Sequence, residues 1–366
     1  MRNVKDVREV IPSFKAYSAG LSIGEIKERY GLNNIIKLSS NENPLGASPL
    51  VQKVVVDHAD EVFRYPRVET PGLVRAIAEK VGVPASRIVA GNGSDDIIDM
   101  VIRIKCRPGK DHMLAFDPCY SMYPLQAKLC GVEYRSVPLD EDFGFSLDKL
   151  ADAADENTAM VVLVTPDNPS GLSIMADEIE AFASKLPPQA LLVVDEAYID
   201  FVDSYEKYSV VPRLDRMPNT CVMRTMAKAY GLAGLRLGYG IMPEWLADYT
   251  LRVRLPFSVN ILAEYAGEAA LKDETFYKET VRVVVEGRKY FTERLTALGC
   301  KVWPSQTNFV MFKPPMDALV LFEKLLQKGI IVRSLEGYDR PDLIRMTIGT
   351  EKENRAVVAA LEELLA

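Results

Sequence analysis

The middle of this chain alternates short apolar runs with amphipathic helical stretches, and that alternation admits few architectures. Apolar runs predict strands at residues 87–90, 112–116, 132–137, 159–165, 191–195, 221–225 and 235–241. Helical patterns lie between them; in residues 95–104, Ile97, Ile98, Val101 and Ile104 recur at helical spacing. A chain that alternates in this way folds as an α/β structure with a mainly parallel central sheet between helices. After Asn260 the pattern changes to a long helical stretch over 261–298, then a strand at 309–312 and a helix at 316–327. Strands at 330–333 and 343–348 and a closing helix at 351–365 complete a smaller α+β domain. The expected organisation is an N-terminal segment, 1–45, packing with the small domain, a large domain over 46–260, and the small C-terminal domain over 261–366.

Composition bounds the function. With 366 residues the chain can bury a large core. A net charge of −7 argues against a nucleic-acid or anionic-membrane surface. The cysteines, five and without Cys-x-x-Cys spacing, read as reduced thiols of a cytoplasmic protein. No stretch reads as a membrane span or a signal peptide. Two histidines, His58 and His112, exclude a multi-histidine metal centre, and no metal site is expected.

Polar residues collect where the predicted parallel strands end, the place at which open α/β sheets bind ligands. Residues 191–194 (LLVV) deliver Asp195, and Lys228 lies between the run 220–225 and Arg236. A lysine in an apolar cleft sheds its proton and attacks carbonyl carbon. A carboxylate at a strand end keeps a heteroaromatic nitrogen protonated. The pair points to a Schiff-base lysine with pyridoxal phosphate (PLP). The acid could instead serve magnesium in a nucleotidase, but the phosphate loop which that requires is missing.

Residues 91–95 (GNGSD) open a predicted helix. They suit either an ordinary N-cap at Ser94 or Asp95, or an anion site built from Gly93, Ser94 and the free N–H groups of the first turn. Tyr120 follows a strand and either packs or stacks on a planar ring. Asn168, in residues 165–171 (TPDNPSG), is a turn residue that can also donate to a ring oxygen.

With these segments in place, the chain resembles the histidinol-phosphate aminotransferase family of fold-type I, PLP-dependent enzymes. The resemblance rests on residues 36–46 (IKLSSNENPLG), 64–66 (RYP), 91–95, 195–201 (DEAYIDF), 224–236, 306–310 (QTNFV) and 344–349 (IRMTIG). It implies that Lys228 is the Schiff-base lysine, Asp195 the partner of the pyridine nitrogen, and Tyr198 and Asn168 donors to the ring hydroxyl. Tyr120 would stack on the ring; Ser94, Asp95 through its N–H, Thr225 and Arg236 would hold the phosphate. Tyr65 would reach the phosphate of the other subunit, so a homodimer is implied. Tyr17, Asn168, Arg333 and Arg345 would meet the substrate; the bland alternative for the two arginines is a surface ion pair, which their β-rich flanks weaken.

Three residues depart from the family pattern: Ala227 in place of serine, Asp167 in place of asparagine, and Arg67 in place of an acid. The implied reaction is transamination of L-histidinol phosphate with 2-oxoglutarate. An aromatic or broad-specificity aminotransferase and a threonine-phosphate decarboxylase would share every cofactor residue. A non-enzymatic PLP-binding regulator would need a DNA-binding module, for which the reading leaves no segment.

Overall fold

A computed structural model describes residues 7–14 and 22–365. Its strands are β1 (Ile36–Lys37), β2 (Ile88–Gly91), β3 (His112–Asp117), β4 (Glu133–Pro138), β5 (Thr158–Val164), β6 (Leu191–Asp195) and β7 (Thr220–Thr225). These are followed by β8 (Gly238–Ile241), β9 (Lys301–Val302), β10 (Phe309–Lys313), β11 (Ile330–Ile331), β12 (Arg333–Leu335) and β13 (Arg340–Thr347). Among the described residues they form three sheets, the largest seven-stranded in the order β2-β8-β7-β6-β5-β3-β4. Only β8 runs against its neighbours in that sheet.

Both faces of the large sheet are covered, which is why its central strands β5, β6 and β7 are buried at every position and mostly apolar. Alternate residues serve opposite sides. Leu114, Val161, Leu163, Leu192, Val194 and Val222 pack into one core cluster. Met113, Met160, Val162, Leu191, Val193 and Met223 pack into another, with Ile97, Ile98 and Val101 of helix Ser94–Lys105. This pleat fixes which strand-end side chains face the same way.

The second sheet is antiparallel, in the order β12-β13-β10-β9. In the sequence the helices Ile261–Lys272 and Glu274–Ala297 connect β8 of the first sheet to β9 of the second, after helix Glu244–Val253. The pattern over 261–298 predicts one helix, but Asp273 interrupts it: its side chain accepts from the N–H of Phe276 and caps the second helix. The stretch 330–333 also divides. β11 pairs in parallel with β1, whereas β12 pairs with β13. The N-terminal segment is thereby stitched to C-terminal residues, with the Leu38 N–H donating to Ile331 and its carbonyl accepting from Thr347.

The strand expected over 235–241 starts three residues late, at Gly238. Ala233–Leu235 is a 3-10 turn, and Arg236 takes a left-handed backbone, φ 56°. Gly238 must be glycine, because a Cβ there would lie 2.3 Å from the backbone nitrogen of Ser94. That close approach holds the N-terminus of helix Ser94–Lys105 against β8.

Candidate active site

The C-terminal ends of β2, β5, β6 and β7 open into one cavity of about 640 Å³. Its lining includes Gly93, Ser94, Asp95, Tyr120, Asn168, Asp195, Tyr198, Thr225, Lys228, Arg236, Arg333 and Arg345. Of the residues singled out from sequence, Tyr65 lies elsewhere and Tyr17 falls outside the described residues.

Asp195 ends β6 and is buried, 3% exposed. Its carboxylate accepts from the Tyr123 hydroxyl at 2.8 Å and from the Ala197 N–H at 3.1 Å. Among the described residues it has no ion-pair partner. Burial pushes its pKa up to about 6, against the pull of the Tyr123 hydrogen bond. The neighbouring Glu196 points to the opposite side, where Arg224 pairs with it at 2.6 Å and Ser209 and the Val210 N–H donate to it. Of the two acids, only Asp195 is therefore offered to a ligand, and a cationic ring nitrogen would supply its missing counter-charge.

Lys228 sits where the chain leaves β7, partly buried, with its ammonium 3.4 Å from the Ser40 carbonyl and 5.7 Å from the Tyr198 ring centre. Burial, and then the charge of Arg345, push its pKa down to about 8. The Tyr198 hydroxyl accepts from Asn41 at 2.9 Å, and burial raises its own pKa to about 12. Tyr120 packs edge-on against Tyr123 and donates to Asp95 at 3.1 Å.

At one end of the cavity is an anion cradle. The N-cap of helix Ser94–Lys105 is Gly93, not Ser94 or Asp95, and no side chain caps the first turn. Gly93 has φ 84°, and a Cβ on it would come within 2.9 Å of the Arg236 guanidinium. Arg236, 3.5 Å from the Asp95 carboxylate, and Thr225 line the same cavity, so N–H groups, a hydroxyl and a guanidinium border one space. These donors fit a phosphate monoester. With Asp195 and Lys228 in the same cavity, the set fits a phosphorylated pyridine aldehyde.

Two more arginines complete the lining. Arg333 and Arg345 face one another across β12 and β13 and line the same cavity. Arg345 is buried and donates to Asn168 Oδ1 at 2.5 Å and to the Ser39 carbonyl at 3.0 Å. Arg345 is thus no surface residue, and among the described residues Arg333 forms no ion pair. Asp167, next to Asn168, is buried and accepts from the N–H and hydroxyl of Ser170, which shapes the turn that presents Asn168.

Sequence reading missed Asn41, Tyr123 and Tyr338. Asn41 lies inside a motif that was recognised as a whole. Tyr123 sits in a helix where an aromatic reads as packing. Tyr338 follows β12 and joins the cavity wall only through the tertiary fold.

The family described as Aminotransferase class I and II matches residues 33–361. A histidinol-phosphate aminotransferase of Oleidesulfovibrio alaskensis is 54% identical over 366 residues, 99% of this chain and 96% of its own length. One from Moorella thermoacetica is 38% identical over 99% of this chain and 94% of its own. Among solved structures, the histidinol-phosphate aminotransferase from Sinorhizobium meliloti in complex with pyridoxal-5'-phosphate has a TM-score of 0.90 and 26% identity. That match covers 99% of this chain and 98% of the other.

Proposed function

We propose that this chain, which belongs to the class I and II aminotransferases, is a PLP-dependent transaminase that passes the amino group of L-histidinol phosphate to 2-oxoglutarate. The observation that carries the reading is the convergence of Lys228, Asp195, an anion cradle and two arginines on one cavity. The amino substrate follows the relatives, which are named for it over essentially their whole length.

When bound, PLP supplies a carbonyl carbon that captures amines and a ring that takes up the electron pair left by Cα–H cleavage. Ser94, the Asp95 N–H, Thr225 and Arg236 would hold its phosphate, and Tyr120 its ring face. Asp195, buried and without a cation of its own, holds a proton at the ring nitrogen. Tyr198 and Asn168 hold the ring hydroxyl; since the Asn168 oxygen is taken by Arg345, its amide nitrogen is the group left to donate. Lys228 anchors the carbonyl carbon until substrate displaces it. The freed amine, kept near neutrality by burial, then moves the proton from the substrate Cα. Arg333 and Arg345 bind the anionic end of either substrate, because guanidinium forks match phosphate and carboxylate alike.

The active unit is a homodimer in this reading. Tyr65 is 80% exposed and stacks on Phe257, and the nearby residues in sequence, Val62, Phe63 and Leu255, are exposed as well. Exposed apolar residues of this kind suit a second copy of the chain, to which Tyr65 would reach. The large sheet lies within 46–260 and the antiparallel sheet within 261–366, which supports a division into two domains with 1–45 attached to the second. No helix among the described residues is long and apolar enough to cross a membrane, and the free cysteines support a cytoplasmic enzyme.

The test is kcat/KM for L-histidinol phosphate beside phenylalanine, tyrosine and threonine phosphate. Preference for histidinol phosphate is expected. Preference for an aromatic amino acid, or carbon dioxide release from threonine phosphate, would replace the substrate and leave the cofactor residues as assigned.

A further inference from the structure

Three consecutive residues, 39 to 41, each touch a different functional group. The Ser39 carbonyl accepts from Arg345 and the Ser40 carbonyl from Lys228, while Asn41 Nδ2 donates to the Tyr198 hydroxyl at 2.9 Å. Asn41 is 2% exposed and has a left-handed backbone, φ 54°, which asparagine tolerates better than most residues. Its carbonyl accepts from Asn308 Nδ2 at 3.0 Å.

Thr347 sets the orientation of the Asn41 amide. Its backbone N–H donates to Thr347 Oγ1 at 3.0 Å, and that hydroxyl donates its own proton to Asn41 Oδ1 at 3.0 Å. Flipping the amide would place its NH₂ group on Thr347 Oγ1 and take from the Thr347 hydroxyl proton the acceptor it has in this arrangement. The oxygen is therefore fixed on Thr347 and the nitrogen on Tyr198. A phenol has one proton to give, and an amide N–H cannot accept it. Tyr198 must accept from Asn41, and its proton is left for an acceptor elsewhere. Among the described residues the Tyr198 hydroxyl has no other hydrogen-bond partner, and it lines the cavity beside Asp195 and Lys228.

We propose that Asn41 is a positioning residue that aims the Tyr198 hydroxyl proton at the ring oxygen of the bound cofactor. The proposal rests on the PLP reading above. It also explains why the lock is anchored on Thr347, which lies on β13 two residues beyond Arg345. One strand then sets both the substrate-binding arginine and the direction of the Tyr198 proton.

The test is a pH titration of the visible absorption band of the holoenzyme, with the melting temperature of the cofactor-free protein as a check on folding. Tyr198→Phe should move the midpoint by about one pH unit, the size of one lost hydrogen bond to a charged oxygen. Asn41→Asp, whose carboxylate would draw the phenol proton toward itself, should move it in the same direction by a comparable amount. The double variant should add nothing, because both changes remove one interaction. Since a buried carboxylate can prevent folding, Asn41→Gly is measured alongside; it suits φ 54° and carries no charge. Its shift should have the same sign, roughly half the size, and should vanish in the Tyr198→Phe background. A wild-type midpoint in the Asn41 variants that fold, or an undiminished shift in the Tyr198→Phe background, overturns the proposal alone. A Tyr198→Phe midpoint equal to wild type overturns the placing of Tyr198 at the ring oxygen and this proposal with it. A wild-type protein with no visible band overturns the functional reading as a whole.

Discussion

The guanidinium of Arg345, on β13, donates to the side-chain oxygen of Asn168, in the turn after β5, at 2.5 Å. A candidate substrate-binding cation and a candidate cofactor donor are thereby held in one geometry, although one lies on β13 and the other in the turn after β5. Replacing Arg345 should disturb both at once: the anionic group loses its fork, and the buried Asn168 oxygen loses its donor.

Arg345→Gln should lower both half-reactions by roughly 2–5 kcal/mol in transition-state free energy, the cost of leaving a buried charge partner unpaired. Arg345→Lys should recover only part, since a point charge cannot serve the substrate and Asn168 together. Single-turnover spectra with histidinol phosphate and with 2-oxoglutarate measure each half-reaction separately. Wild-type rates for either substrate in the lysine variant would show that the two do not share this arginine.

The exposed Tyr65 gives a prediction about assembly. If it serves the other subunit, mixing Tyr65→Phe with Lys228→Ala protein should restore activity, because one site of each heterodimer then has both residues intact. Tyr65→Phe alone should loosen the cofactor by roughly 1.5 kcal/mol or more, as expected for a hydrogen bond to a charged group. No recovery after verified subunit exchange, or a monomer by light scattering, counts against the shared site.

Ala227 is buried, lines the cavity, and donates through its N–H to Thr225 Oγ1 at 3.1 Å. A serine there would add a hydroxyl beside the anion cradle. Ala227→Ser should therefore lower the Kd for PLP by roughly fivefold, the equivalent of about 1 kcal/mol for one added hydrogen bond. Equilibrium dialysis measures it, with Ala227→Gly as the control that adds no donor. Unchanged or weaker binding would place the side chain away from the phosphate.

How much of this was legible in the sequence varied with the range of the interaction. β6 has the bounds its apolar run predicts, since burial on both faces writes itself into consecutive residues. Asp195 and Lys228 were legible because strand ends are marked by the change from apolar to polar. The late start of β8 was not, because Leu235 and Leu237 continue the apolar pattern while Arg236 turns left-handed between them. The break at Asp273 was hidden for a similar reason: a capping aspartate in a polar helix face looks like any surface acid. Asn41 and Tyr123 act through partners more than 70 residues away. No local pattern encodes such a contact; only the resemblance of the whole motif around Asn41 marked its neighbourhood.

The last prediction concerns the lysine itself. Burial, then the nearby Arg345, lower the Lys228 pKa from 10.5 to about 8. A folded-state value below the unfolded one means that between about pH 8 and 10.5 the unfolded chain binds more protons than the native one. Stability must then rise with pH across that window. Below it the folded protein bears the full cost of a buried ammonium; above it the cost is gone. The shift corresponds to at most about 3 kcal/mol, and to less because the amine opens onto the cavity. Methionine matches the length of lysine's stem without the charge. Cofactor-free Lys228→Met should accordingly be more stable than wild type at pH 7, and the gap should close as the pH approaches 10.5. Urea midpoints at the two ends of the window decide the matter. A gap that does not change with pH would mean that Lys228 is not the destabilised ammonium its surroundings imply, and that the neutral amine needed at the substrate Cα must be produced by the bound cofactor alone.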